Sequence, residues 1–142
     1  MRSHPPPISM IGLGTAVPGH GVGEQVGARF LAKVLEASLP DPERERSLVL
    51  LRKILRGCGI EQRFSVLTDF LQDDPEQFQF FPPNWQLEPF PTTAQRMKVY
   101  EASSVPLAER AARGALEDAD VAPSEVTHLV ITTCTGFFAP GP

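Results

Sequence analysis

The segment from Val126 to Pro142, VTHLVITTCTGFFAPGP, constrains the fold of this chain more than any other. Residues 126–133 carry Val126, Leu129, Val130 and Ile131 in a short apolar run, the length of a buried strand rather than of a helix. The run enters a Cys-Thr-Gly-Phe-Phe turn that is too apolar for an ordinary surface loop.

The rest of the chain supplies the companions of such a strand. Residues 8–15, ISMIGLGT, are expected to form a second short buried strand, with Gly12 and Gly14 on one face where a neighbouring element can approach closely. A Pro/Gly loop follows. Residues 24–39 are expected to be helical, because Val26, Phe30, Leu31, Val34 and Leu35 recur at three-to-four spacing, and Pro40 stops the helix. Asp41-Pro42 suits an N-cap and first helical position, and the next helix buries Leu48, Leu51, Ile54 and Leu55 before Gly57 and Gly59 end it.

Residues 60–67 fit a strand. Residues 69–91 are acidic, aromatic and proline-rich and are expected to form a long excursion with one short helix. Pro91-Thr92-Thr93 opens a long amphipathic helix with Met97, Tyr100, Ser104 and Ala108 on one side, which Pro106 should kink or split. Residues 121–125 form a turn. The order strand, helices, strand, helix, strand is an α/β pattern. Residues 1–7, with three consecutive prolines, are expected to be a disordered tail ahead of a single domain over 8–142.

Composition excludes several classes. No run approaches the roughly 18 apolar residues of a membrane span, and the N-terminus lacks a signal-peptide hydrophobic region, so a cytoplasmic location is expected. Cys58 and Cys134 form neither a CxxC nor a disulfide framework. His4, His20 and His128 are widely spaced, and no metal site is expected. The net charge of −4 argues against nucleic acid.

The charge is unevenly spread. Residues 43–63 hold six basic side chains against three acidic ones, whereas residues 67–88 hold five acids and no Lys or Arg. A basic patch on an acidic chain suits a small anionic ligand, and a solvated helix face is the competing explanation.

Five pieces, in order, carry a resemblance. They are Gly12-Leu13-Gly14-Thr15-Ala16-Val17-Pro18; Gly59-Ile60-Glu61-Gln62-Arg63-Phe64-Ser65-Val66-Leu67; Phe80-Phe81-Pro82; Pro91-Thr92-Thr93-Ala94-Gln95-Arg96-Met97; and Thr127-His128-Leu129-Val130 through Gly141. Together they resemble the N-terminal part of a type III polyketide synthase of the chalcone and stilbene synthase family, and Cys134 through Gly141 resembles the turn of the bacterial branch. The resemblance implies an α/β, thiolase-like fold of layered αβαβα type, incomplete in this chain, and a homodimer. It implies acyltransferase chemistry: an acyl-CoA starter is loaded on a cysteine, and malonyl-CoA decarboxylates and condenses with it. CoA thioesters are substrates, and neither a metal nor an organic cofactor is implied.

The family's nucleophilic cysteine, histidine and asparagine fall beyond Pro142, so the resemblance places no catalytic residue in this chain. Cys134 imitates the Cys-Ser-Gly-Phe nucleophile segment of the related ketoacyl synthases. The Pro140-Gly141-Pro142 that follows cannot start the helix whose N-terminus would stabilise a thiolate. The resemblance assigns Cys134, Thr135, Gly136 and Phe137 to the lining of the acyl pocket, and Ala139 to the loop that crosses the dimer interface. A plain core cysteine is the other alternative for Cys134. Lys53 falls on a CoA-contacting position. Arg52 and Arg56 lie one helical turn apart beside it, and Leu50 and Gly57 occupy two positions that are basic in the family. Competing identities are another thiolase-fold synthase, such as a ketoacyl-carrier-protein or hydroxymethylglutaryl-CoA synthase, and a non-catalytic binding or dimerisation module.

Overall fold

The computed structural model describes residues 8–134, 136–138 and 141. The expected tail at 1–7, Thr135 and Ala139 lie outside the described residues. The chain divides into two compact units, residues 17–96 and residues 1–16 with 97–142.

In the unit of residues 17–96, β1 (His20–Gly23) pairs antiparallel with β2 (Gln62–Ser65), with His20 opposite Ser65 and Gly23 opposite Gln62. β1 lies where the Pro/Gly loop was expected. Its four residues have little strand propensity of their own, and the ladder to β2 is what extends them. Helix α1 (Glu24–Ser38) leaves β1 directly, and the Glu24 N–H donates to the Glu61 carbonyl at 2.9 Å. Helix α2 (Glu43–Cys58) follows. It begins after Pro42 rather than being capped by Asp41, because that carboxylate takes Arg44, whose Nη2 lies 2.7 Å from both of its oxygens. Gly59, at φ 64, ends α2 in the left-handed region that glycine enters at no steric cost. Leu55 is buried, Leu48 and Leu51 are half-buried, and Ile54 points outward at 55% exposure, contrary to expectation.

The excursion at 69–91 is a folded core rather than a loop. It contains two 3-10 turns, Asp69–Leu71 and Pro75–Gln77. Phe30 of α1 is 3% exposed and sits among the rings of Phe70, Phe78, Phe81 and Trp85, with centroids 5.0, 5.7, 6.2 and 5.6 Å away. Such edge-on and tilted contacts add to simple area burial. Lys33 Nζ stands 4.6 Å over the Trp85 ring and 3.1 Å from Asp73, which also meets Arg29 at 2.9 Å. Asp69 is fully buried. Its Oδ1 accepts from the N–H of Gln79 at 3.0 Å, and its Oδ2 accepts from Phe80 and Phe81 at 2.9 and 2.7 Å. One carboxylate therefore folds the aromatic segment back on α1.

Helix α3 (Thr93–Ala119) starts from a reciprocal cap. The Thr92 N–H donates to Gln95 Oε1 at 2.7 Å, and the Gln95 N–H donates to Thr92 Oγ1 at 3.3 Å. α3 is not split at Pro106. The proline removes one backbone bond of a 27-residue helix, and helix formers on both sides carry propagation across it.

In the other unit, residues 8–15 run along the C-terminal part of α3. Gly12 and Gly14 are half-buried, and a Cβ on either would strike the α3 backbone at Ala111, Ala115 or Ala119. The expected close approach is therefore present. The expected burial is not: Ile8, Met10, Ile11 and Leu13 are exposed. Residues 126–133 likewise form no strand, and Val130 is 86% exposed. Both segments are apolar, but a strand exists only where another backbone takes up its N–H and C=O groups. Among the described residues neither segment has such a partner. No described helix is long and apolar enough to cross a membrane.

Candidate functional site

With about 3.6 residues per turn, α2 turns Lys53 to the face opposite Leu48, Leu51 and Leu55. Arg52 and Arg56 flank Lys53, and all three are exposed. With Val49 and Gly57 they line a shallow, open groove of about 540 Å³. No carboxylate pairs with any of the three cations among the described residues. Three unpaired cations around a concave surface are suited to a multiply charged anion, and guanidinium groups add bidentate hydrogen bonding to phosphate. The structure thus brings together Arg52, Lys53 and Arg56 as the sequence predicts, and it adds Val49 as an apolar wall. A second hollow, at the end of α3, is lined by Glu117, Asp120 and Glu125 beside Arg113. Its acidic lining makes it a poor phosphate site.

The turn at 134–138 belongs to the other unit. Cys134 is exposed. Gly136 is buried against the Tyr100 ring, so closely that a Cβ would collide with it, and its N–H donates to Thr133 Oγ1 at 3.2 Å. The Phe137 N–H points to Met97 Sδ at 3.4 Å, while the residue as a whole is 69% exposed. The Phe138 ring meets Tyr100 at 5.9 Å. The α3 face read from Met97 and Tyr100 is therefore the seat of this turn.

The thiol with a perturbed environment is Cys58. The Ile60 backbone N–H and then the Arg63 guanidinium, whose Nη2 lies 3.4 Å from Sγ, hold its pKa below the ordinary thiol value. Sequence reasoning passed it over, because Arg63 reaches it only through the β2 turn. More thiolate at a given pH means faster alkylation. Removing the guanidinium in Arg63→Ala is expected to slow iodoacetamide modification of Cys58 about two- to fivefold near neutral pH. The difference should vanish at alkaline pH, where both forms are ionised. Peptide mass spectrometry over a time course measures it, with Cys134 as an internal reference; equal Cys58 rates in the two proteins would remove Arg63 as a cause.

No protein-family model matches the chain. It is 27% identical over 142 residues to the type III polyketide synthase pspB of Penicillium soppii, covering 99% of this chain and 31% of that protein. It is also 27% identical over 134 residues to the acylalkylpyrone synthase csyB of Aspergillus oryzae, covering 94% and 29%. The fold matches PKS-I of the brown alga Ectocarpus siliculosus with a TM-score of 0.70 at 22% identity, over 93% of this chain and 33% of that one. It matches the fungal type III polyketide synthase ORAS with a TM-score of 0.62 at 27% identity, over 94% and 30%. The chain spans about a third of the length of these proteins. They are fungal and algal, so they add nothing to the likeness between the 134–141 turn and the bacterial branch. The α/β arrangement of this chain is the thiolase-like one, and its homologues are type III polyketide synthases.

Proposed function

We propose that the chain provides CoA-thioester binding for a polyketide synthase of type III character, and that it corresponds to the N-terminal portion of such an enzyme. The supporting observation is the similarity to two such synthases across nearly the whole chain, joined to a groove of unpaired cations on α2. CoA carries a diphosphate and a 3′-phosphate. Lys53 takes one as a point charge, and Arg52 and Arg56 share the others by forked hydrogen bonds. The phosphates are remote from the reacting carbon, so this contact holds ground and transition states alike.

The reaction is the condensation of an acyl-CoA starter with malonyl-CoA. Loss of carbon dioxide from the malonyl group leaves the carbanion that attacks the acyl thioester and displaces its thiolate. The thioester supplies the activated acyl group, so no metal or organic cofactor is needed. Cys134, Thr135, Gly136 and Phe137 line the acyl pocket of the complete enzyme rather than act as nucleophile, Ala139 belongs to its homodimer contact, and the enzyme works in the cytoplasm. No residue of this chain is assigned the nucleophile or the oxyanion contacts.

Lys53→Glu is expected to weaken CoA-thioester binding by about 1–3 kcal/mol, since it replaces a phosphate contact with a repulsive charge. Arg52→Ala and Arg56→Ala should each do less, because the other cations share the load. Added salt should shrink all three effects. Titration calorimetry of the chain with acetyl-CoA at two ionic strengths measures this. Equal affinities across the three variants would make α2 a solvated face and remove the basis of the proposal.

A further inference from the structure

We propose that Tyr100 of α3 is a positioning residue for the acyl group: its ring fixes Gly136, and through it the turn at 134–138, so that the turn favours some acyl lengths over others. This deepens the function proposed above and rests on that turn lining the acyl pocket.

The observation is that one turn of α3 holds three consecutive residues. Met97 and Tyr100 lie three apart and share a face of the helix. The Phe137 N–H donates to Met97 Sδ at 3.4 Å. Gly136 is buried against the Tyr100 ring, where a Cβ would collide with three ring carbons. The Phe138 ring meets the same ring at a centroid distance of 5.9 Å, inclined by 66°. The Gly136 N–H is taken by Thr133 Oγ1 at 3.2 Å, so the backbone is held on both sides of this contact. Glycine at 136 answers the ring and not the backbone, because its φ lies outside the left-handed region.

A thioether is a weak acceptor, so the Met97 contact alone does not hold the turn. The Tyr100 ring does so sterically. It is packed by Gly136 and Phe138 together, and an aromatic ring cannot reshape itself as an aliphatic side chain can. A turn pinned to a helix keeps one shape, and a pocket wall of one shape discriminates its ligands by size. A loose turn repacks around each of them. Tyr100 therefore acts through the turn and need not touch the acyl group.

The test uses the full chain and S-(2-oxoalkyl)-N-acetylcysteamine thioethers of butyl, octyl and dodecyl length. These imitate an acyl thioester but carry no leaving thiolate, and they lack the phosphates that the α2 groove would hold. The readout is protection of Cys134, exposed in the same turn, against iodoacetamide, followed by peptide mass spectrometry with Cys58 as the reference. Protection in the unmodified chain is expected to differ about fivefold or more between the best and the poorest length. Tyr100→Leu keeps apolar bulk without the flat ring and should narrow the spread to about twofold or less, whereas Tyr100→Phe should retain it. Gly136→Ala should narrow it as well, and the double variant Gly136→Ala/Tyr100→Leu should do no more than either alone, because both act on one contact. Circular dichroism confirms that the variants keep their helices. A length preference that survives Tyr100→Leu overturns the proposal. So does equal weakening at every length, which is what a merely structural ring would give. Analogues that protect Cys134 at no length overturn it too, and if CoA still binds the chain, the thioester-binding function stands. A chain that neither binds CoA nor shows protection overturns both proposals.

Discussion

Asp69→Ala is expected to destabilise the unit of residues 17–96 by about 3–5 kcal/mol. The carboxylate is fully buried, and it alone serves the N–H groups of Gln79, Phe80 and Phe81. Alanine leaves three donors facing a void. An unpaired buried N–H costs about 1–3 kcal/mol, and partial relaxation toward water keeps the total below the sum. Asp69→Asn keeps one accepting oxygen but turns an N–H₂ toward backbone N–H groups, so it should cost about 2–3 kcal/mol despite its near-identical shape. Against typical stabilities of about 5–15 kcal/mol, either loss is easily read by urea denaturation. Hydrogen exchange should show the amides of residues 79–81 losing protection first. An Asp69→Asn protein with an unchanged urea midpoint would show that the three bonds carry no net stability.

Phe30→Ala should cost about 3–5 kcal/mol by a different route, the cavity left among four rings. Phe30 is the hub that Phe70, Phe78, Phe81 and Trp85 share, so its loss removes dispersion contacts that no neighbour can replace without moving. Phe30→Leu keeps most of the volume and should cost about 1–2 kcal/mol. Trp85 is the chain's single tryptophan and contacts Phe30 directly, so its fluorescence reports the cluster without interference. Phe30→Ala is expected to redshift the emission as water enters, and to lower the urea midpoint. Unaltered emission with an altered midpoint would place the loss elsewhere in the unit. The Asp69 and Phe30 sites share Phe81, so their effects should not add.

Local periodicity made the helices legible. The spacing of Val26, Phe30 and Val34 marks α1 to within a residue of Glu24–Ser38. Gly59 marks the end of α2, and Pro91-Thr92-Thr93 marks the start of α3. These signals work because helix hydrogen bonds, caps and side-chain faces are set within four residues along the chain. The cationic face of α2 was legible for the same reason, since Arg52, Lys53 and Arg56 are brought together by one helical turn. The seat of the 134–138 turn was half legible: Met97 and Tyr100 announced a buried face, but not what it receives.

Strands and buried polar groups were not legible in this way. Residues 8–15 and 126–133 have strand composition, yet pairing depends on a second backbone that composition does not locate, and β1 formed instead in a Gly-rich stretch because β2 lay opposite it. Asp69 looked like one more surface acid in an acidic excursion. Only the folding back of residues 79–81 makes it the most buried side chain, because the cost of burying a carboxylate is met by three N–H donors ten to twelve residues away. Cys58 became the perturbed thiol when the β2 turn delivered Arg63. The sequence by itself determined the helices, their ends and the cationic face, all of them products of contacts within a few residues. The tertiary structure decided the aromatic core, the role of Asp69 and the pairing of strands, because each depends on groups distant in the chain meeting in space.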